Sequence, residues 1–376
     1  MKRFALCALL IAAPLIAQDS TAGRGRGGRG GGRGGGGQWT GPMDSVRARQ
    51  LYVSRDTADL SGCGRGCDRQ IQTKHSTDSV WAAHAPGHYE FQKVTYKSRV
   101  DGLEIPAYVY SPINKGKAKH AAMVWVHGFV HGDWNLEVFP FVLEAVKRGY
   151  VIVAPDYRGS TGYGNDWYRK IDYGGKEVDD VLSAIDYLAT VPYVDVKRVG
   201  VMGWSHGGFI TSHVLFRDDN PFKAGAAMVP VTNLVFRLSD HGPAYARDYV
   251  AEQGIGGLPS DRNCGPKKDR DCIDVYLERS PVFHVDNLKV PMLVHVATND
   301  CDVFFREDQQ MVYTLRALKP TLAETKIYKD PPPGREGCGH TFNRRVNPET
   351  LEREDTPEQI DSWNRTWAFF ARNLKP

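Results

Sequence analysis

Hydrophobic periodicity divides the chain near residue 87. Over 89–98 and again over 103–110, apolar and polar residues alternate, with Asp101-Gly102 between the runs. A period of two around a turn dipeptide predicts a β-hairpin. Residues 121–126 and 150–154 are continuous apolar runs, the pattern of strands buried on both faces. Helical spacing covers 136–146. It returns over 175–188, where apolar residues fall at 178, 181, 182, 185 and 188. Two more buried strands are predicted at 224–229 and 291–297, helices at 306–318 and 357–373, and a strand near 325–329. Strands alternating with helices predict a mostly parallel, doubly wound sheet with flanking helices. The roughly 290 residues from 87 onward can bury one substantial core.

The chemistry gathers at Val199-Gly200-Val201-Met202-Gly203-Trp204-Ser205-His206-Gly207-Gly208. A buried strand runs directly into Gly203-Trp204-Ser205-His206-Gly207, which fits the G-x-S-x-G nucleophile elbow and makes this an α/β-hydrolase fold. The serine would sit on a tight turn with its hydroxyl projecting from the sheet. A Cβ at either flanking glycine would meet the neighbouring strand or helix. The N-terminus of the next helix would aim backbone N–H groups at the same point.

The stretch before residue 87 has another character. A basic start, Met1-Lys2-Arg3, leads into an apolar run to Ala17, which reads as a secretory signal over 1–17. Residues 18–37 are dominated by Gly and cannot bury enough surface to fold, so a flexible Gly/Arg linker is expected. Residues 38–86 form a polar, weakly patterned lead-in with a short helix near 45–51. The catalytic domain is expected over 87–376. The net charge of +4 changes meaning in this light. Lys2, Arg3, Arg24, Arg26, Arg29 and Arg33 supply six positive charges, leaving −2 on everything else. An Arg-Gly tract can bind nucleic acid. In an exported chain the expectation is instead a linker touching anionic envelope surfaces, with no nucleic-acid partner and no transmembrane span.

Cysteine usage agrees with export. Cys7 lies in the signal, and six remain, which allow 15 connectivities. The expected pairs are Cys63–Cys67, Cys264–Cys272 and Cys301–Cys338. A metal reading of Cys63-Gly-Arg-Gly-Cys67 lacks a second ligand pair.

A serine hydroxyl needs a general base, and the base needs an orienting acid. In this fold class the chain order is Ser, acid, His. The 291–297 strand runs into Asp300 and Asp302. Asp300 is favoured because it follows the strand end sooner; Asp302 could instead cap the next helix or line the substrate pocket. His340 is the one histidine beyond the acid. If Asp300 and His340 meet, Cys301 and Cys338 are brought near each other, which is the reason for the third disulfide. The oxyanion hole would combine the N–H groups of His206 and Phe129, the latter following the 121–126 strand. Leu234, Phe236, Asp302, Val303 and Phe304 are candidate pocket residues.

With these residues in place, the chain resembles the catalytic domain of the prolyl oligopeptidase family, in its acylaminoacyl-peptidase and dipeptidyl-peptidase branches. The resemblance rests on Asp156-Tyr157-Arg158-Gly159, Gly203-Trp204-Ser205-His206-Gly207-Gly208, Ser280-Pro281, Val290-Pro291, Asp300-Cys301-Asp302-Val303 and Gly339-His340-Thr341-Phe342. It covers about residues 88–374 and implies Ser205, Asp300 and His340 as a triad that needs no metal or organic cofactor. Three features depart from the family. There is no room for its β-propeller, His127-Gly128-Phe129 stands where His-Gly-Gly is common, and 252–274 looks inserted. The expected activity is hydrolysis of peptide bonds in short peptides, with ester hydrolysis as the alternative on the same triad.

Overall fold

The computed structural model describes residue 63 and residues 66–376, except 247–248, 250–254, 266 and 335. The expected signal, Gly/Arg linker and 45–51 helix lie outside the described residues.

Eight strands form one sheet: β1 (Glu90–Lys97), β2 (Glu104–Ser111), β3 (His120–Val126), β4 (Val151–Pro155), β5 (Val194–Trp204), β6 (Ala224–Met228), β9 (Met292–Ala297) and β10 (Ala323–Tyr328). A separate two-stranded ribbon pairs β7 (Arg262–Cys264) with β8 (Arg270–Asp271). The order in the large sheet is β1-β2-β4-β3-β5-β6-β9-β10. The β1–β2 hairpin and its join to β4 are antiparallel; every later pairing is parallel. Because β3 lies between β4 and β5, the winding reverses there. A crevice is therefore expected beyond the carboxyl ends of β3 and β5. Val126 and Gly203 are register partners, so the loop after β3 and the serine after β5 leave the sheet side by side.

Nine helices concern the argument. They are α1 (Cys67–Ala83), α2 (Phe139–Lys147), α3 (Lys176–Leu182), α4 (Ala184–Thr190), α5 (His206–Leu215), α6 (Leu234–His241), α7 (Cys272–Glu278), α8 (Phe305–Leu318) and α9 (Pro357–Leu374). The predicted 175–188 helix is interrupted at Ser183. Its hydroxyl donates back to the Asp179 carbonyl and accepts the Arg99 amide from the β1–β2 turn. Side-chain bonding of this kind competes with the helix ladder.

The strands are apolar on both faces because both are covered. One core cluster joins Val124, Val153, Val201, Phe209 and Val294 under α3, α4, α5 and α8. The other joins Met123, Trp125, Trp204, Phe141, Trp363 and Phe370 under α2 and α9. Trp125 stacks on Trp204 at 5.5 Å, and Phe141 on Trp363 at 4.2 Å.

Folded structure begins before residue 87. Helix α1 has no apolar stripe, yet it packs on the domain at two points. Trp81 is fully buried against Tyr110 and Phe139. Lys74 is 2% exposed and forms an ion pair with the fully buried Asp156. It also donates to the Trp134 carbonyl at 3.3 Å and lies 4.5 Å over the Tyr108 ring. One buried tryptophan and one buried ion pair, rather than an amphipathic pattern, seat this helix, so periodicity could not reveal it.

Candidate active site

Ser205 stands between β5 and α5 with φ 54° and ψ −119°, a strained conformation for a non-glycine residue. Its amide donates to the Met228 carbonyl at 3.0 Å, which pins the turn to β6. A Cβ on Gly203 would lie 2.5 Å from the Gly207 backbone. One on Gly207 would lie 2.4 Å from the Val126 carbonyl oxygen. Only glycine permits strand, turn and helix to close this tightly.

The carboxyl end of β9 and the loop after β10 supply the next groups. Asp300 Oδ2 accepts a hydrogen bond from His340 Nδ1 at 2.8 Å. Its other oxygen accepts the Asp302 and Val303 amides, both at 2.9 Å. Asp300 is thus fixed by its own turn and fixes the imidazole. Burial alone would push the His340 pKa down. The carboxylates of Asp300, Asp302 and Glu336 outweigh it, and the net shift is upward. His340 Nε2 is buried and has no hydrogen-bond partner among the described residues.

The loop carrying His340 is tied to the serine turn. Trp204 Nε1 donates to Asn343 Oδ1 at 2.8 Å, and Asn343 Nδ2 donates to Ser362 on α9 at 2.9 Å. On the opposite side a disulfide joins Cys301 to Cys338, with Cα atoms 5.9 Å apart. The other two pairs are Cys63–Cys67 and Cys264–Cys272.

Asp302 lies on the other side of the imidazole from Asp300. Its Oδ2 is 3.4 Å from His340 Nε2, while Oδ1 accepts from Arg237 Nη2 at 2.7 Å. Burial opposes ionisation of Asp302, but Arg237 and His340 hold its pKa below the usual value. Phe304 stacks on His241 at 4.2 Å, and His241 stacks on Tyr245 at 4.3 Å. These half-buried rings gather beside Asp302, whose carbonyl meets His241 Nε2 at 2.9 Å. Phe236 is half-buried on α6. Leu234 and Val303 are fully buried members of the core, so the structure does not bring them to an open wall.

Phe129, three residues after β3, has φ 60° and is 50% exposed. Its carbonyl accepts from the Tyr157 hydroxyl at 2.7 Å, which turns this peptide and fixes the loop. His206 opens α5, where a backbone N–H has no carbonyl one turn earlier to accept it. The His206 ring points into a closed aromatic pocket, 4.6 Å from Tyr173 and 5.2 Å from Phe209. Burial drives its pKa well down. Glu177, 3.8 Å from that ring, is pushed up to about 8, chiefly by burial. His127 and His295 are likewise core histidines. His127 contacts Ser160, and His295 contacts Ser362.

An activatable serine, a histidine oriented by a carboxylate and two backbone donors are the parts that acyl transfer requires. Comparison with known proteins identifies the family. The sequence model described as "Prolyl oligopeptidase family" matches residues 133–332, more than half of the chain. The chain belongs to the prolyl oligopeptidase family. Its relatives in this family include an uncharacterized peptidase, YuxL, of Bacillus subtilis (strain 168). That protein is 27% identical over 70% of this chain and 37% of its own length. The acylamino-acid-releasing enzyme of Homo sapiens is 28% identical over 58% of this chain and 29% of its own length. The chain thus spans about a third of the length of the curated relatives it matches. The acylaminoacyl peptidase of Pyrococcus horikoshii shares the fold, with a TM-score of 0.57 and 22% identity over 79% of this chain and 44% of that one. A puromycin hydrolase shares it with a TM-score of 0.60 and 21% identity over 76% and 40%.

Sequence reasoning missed Tyr157 and Arg237. Tyr157 lies within Asp156-Tyr157-Arg158-Gly159, one of the stretches that carry the family resemblance, so a signal existed. Arg237 carries no local signal, because its pairing with Asp302 comes only from what the fold places around it.

Proposed function

We propose that this chain is an exported serine peptidase that cleaves short peptides through an acyl-enzyme. Ser205 attacks the scissile carbonyl. His340 Nε2 takes the serine proton and passes it to the departing amine. Asp300 holds the imidazole through Nδ1 and stabilises its charged form. The N–H groups of Phe129 and His206 receive the oxyanion, and water then releases the acyl group by the reverse path. The observation carrying the reading is the 2.8 Å Asp300–His340 contact on a loop fastened to the strained Ser205 turn through Asn343. Export is supported by three disulfides and the signal-like start.

The test compares wild-type protein with Ser205→Ala on a paired panel of short peptide amides and simple esters without reductant. Amide cleavage should fall on the order of 10⁴-fold or more in the variant. Ester turnover alone, equally dependent on Ser205, would move the assignment to a carboxylic-ester hydrolase. Equal rates for variant and wild type on every substrate would remove Ser205 from the mechanism.

A further inference from the structure

Arg344 lies four residues beyond His340 and is 6% exposed. Its Nε and Nη2 are buried without a hydrogen-bond partner among the described residues. Nη1 is 3.9 Å from Glu137 Oε2, beyond hydrogen-bond reach. The guanidinium sits 5.7 Å over the ring of Trp204, the residue before Ser205. It also faces the oxyanion loop, since a Cβ on Gly128 would lie 3.6 Å from Nη1 and 3.7 Å from the Ser205 Cβ. A slot of about 20 Å³ lies between Arg344, Trp204, Gly128 and Phe129. That is room for one oxygen-sized group. The slot shares Asp133, Asn135 and Glu137 with a larger cleft of about 340 Å³ under α1, so two carboxylates line it beside the guanidinium.

A buried guanidinium in which two nitrogens donate no hydrogen bond among the described residues is costly to keep, and a carboxylate is the partner its planar fork matches. Chemistry then fixes which part of a substrate would bring one. His340 must hand its proton to the leaving amine, so the leaving group lies against the His340 loop. Arg344 belongs to that loop.

We propose that Arg344 is a specificity residue that binds the α-carboxylate of the leaving group, so that the enzyme favours peptides from which a single C-terminal amino acid departs. The inference rests on the peptidase reading above and adds the substrate class. Glu137 balances part of the charge when the slot is empty, and the carboxylate oxygen enters between Trp204 and Phe129.

Two measurements test it. The first is kcat/KM for a short peptide ending in free phenylalanine and for the same peptide ending in phenylalaninamide. Wild type should prefer the free acid. The acid-to-amide ratio should fall roughly 10- to 100-fold in Arg344→Gln and only partly in Arg344→Lys. A ratio unchanged by Arg344→Gln, or a wild-type preference for the amide, would overturn the proposal. The second is calorimetric binding of phenylalanine against phenylalaninamide to Ser205→Ala protein with and without Arg344→Gln. It needs no turnover, so failure of the peptidase reading stays distinct from failure of the subsite. Arg344-dependent selection of phenylalanine supports the subsite, and equal binding of both ligands refutes it. Arg344→Lys keeps the charge and serves where Arg344→Gln does not fold.

Discussion

Lys74 and Arg344 are both cations shut away from water, and their surroundings are opposite. Lys74 has a carboxylate, a carbonyl and an aromatic face around it, and its partner Asp156 is itself held by the Trp134 amide at 2.7 Å and the Tyr163 hydroxyl at 2.6 Å. Arg344 has a ring, a glycine, Glu137 at 3.9 Å and the charge of Glu336 around it, and its Nε and Nη2 donate no hydrogen bond among the described residues. The first arrangement is complete and fastens α1 to the domain. The second is incomplete and lies beside Ser205. Buried charge that is fully partnered is architecture; buried charge left open next to a reacting centre is a place for substrate.

The comparison is sharpest in stability. Lys74→Met leaves Asp156 buried without its counter-charge and should cost about 3–5 kcal/mol in denaturant unfolding. The companion change Arg344→Met keeps the volume, removes an unbonded charge and should cost less than about 1.5 kcal/mol. Equal losses at the two positions would break the contrast. A loss confined to Lys74 would confirm that α1 is clamped by charge.

Between those effects lies the Cys301–Cys338 bridge. Replacing both cysteines with serine opens a 37-residue separation and should cost about 2–4 kcal/mol. Turnover should fall with it, because the bridge joins the loops bearing Asp300 and His340. Retained wild-type kcat/KM in the double variant would show that Asp300 and Asn343 alone hold the imidazole.

The smallest effect concerns pH. The His340 pKa is raised, so the neutral base forms only above the usual histidine range. The acid limb of kcat/KM should therefore lie above pH 6.5. Asp302→Asn removes one of the raising charges and should move that limb to lower pH. A limb that stays in place would mean that Asp302 does not influence Nε2 during turnover.

Much of this was legible along the chain. The hairpin, the apolar strands and the elbow are short-range patterns, and the structure returns them within a few residues. The differences have physical causes. β5 starts at Val194 rather than 199 because its polar first half joins β3 across an irregular register. α1 escaped notice because a lone tryptophan and a buried lysine, not an apolar stripe, seat it. Leu234 and Val303 pointed to a pocket by position alone, while packing drew both into the core.

The sequence by itself determined the strained serine turn, the alternation of strands and helices, and the order of serine, acid and histidine. These follow from residue periodicity and from the steric needs of glycine over a few positions. Tertiary structure decided which carboxylate meets which nitrogen of His340. It also decided that Lys74 would be satisfied and that Arg344 would be left open beside Ser205. A side chain's charge is written in the sequence, but its partners come from segments tens to hundreds of residues away, and only folding brings them within bonding distance.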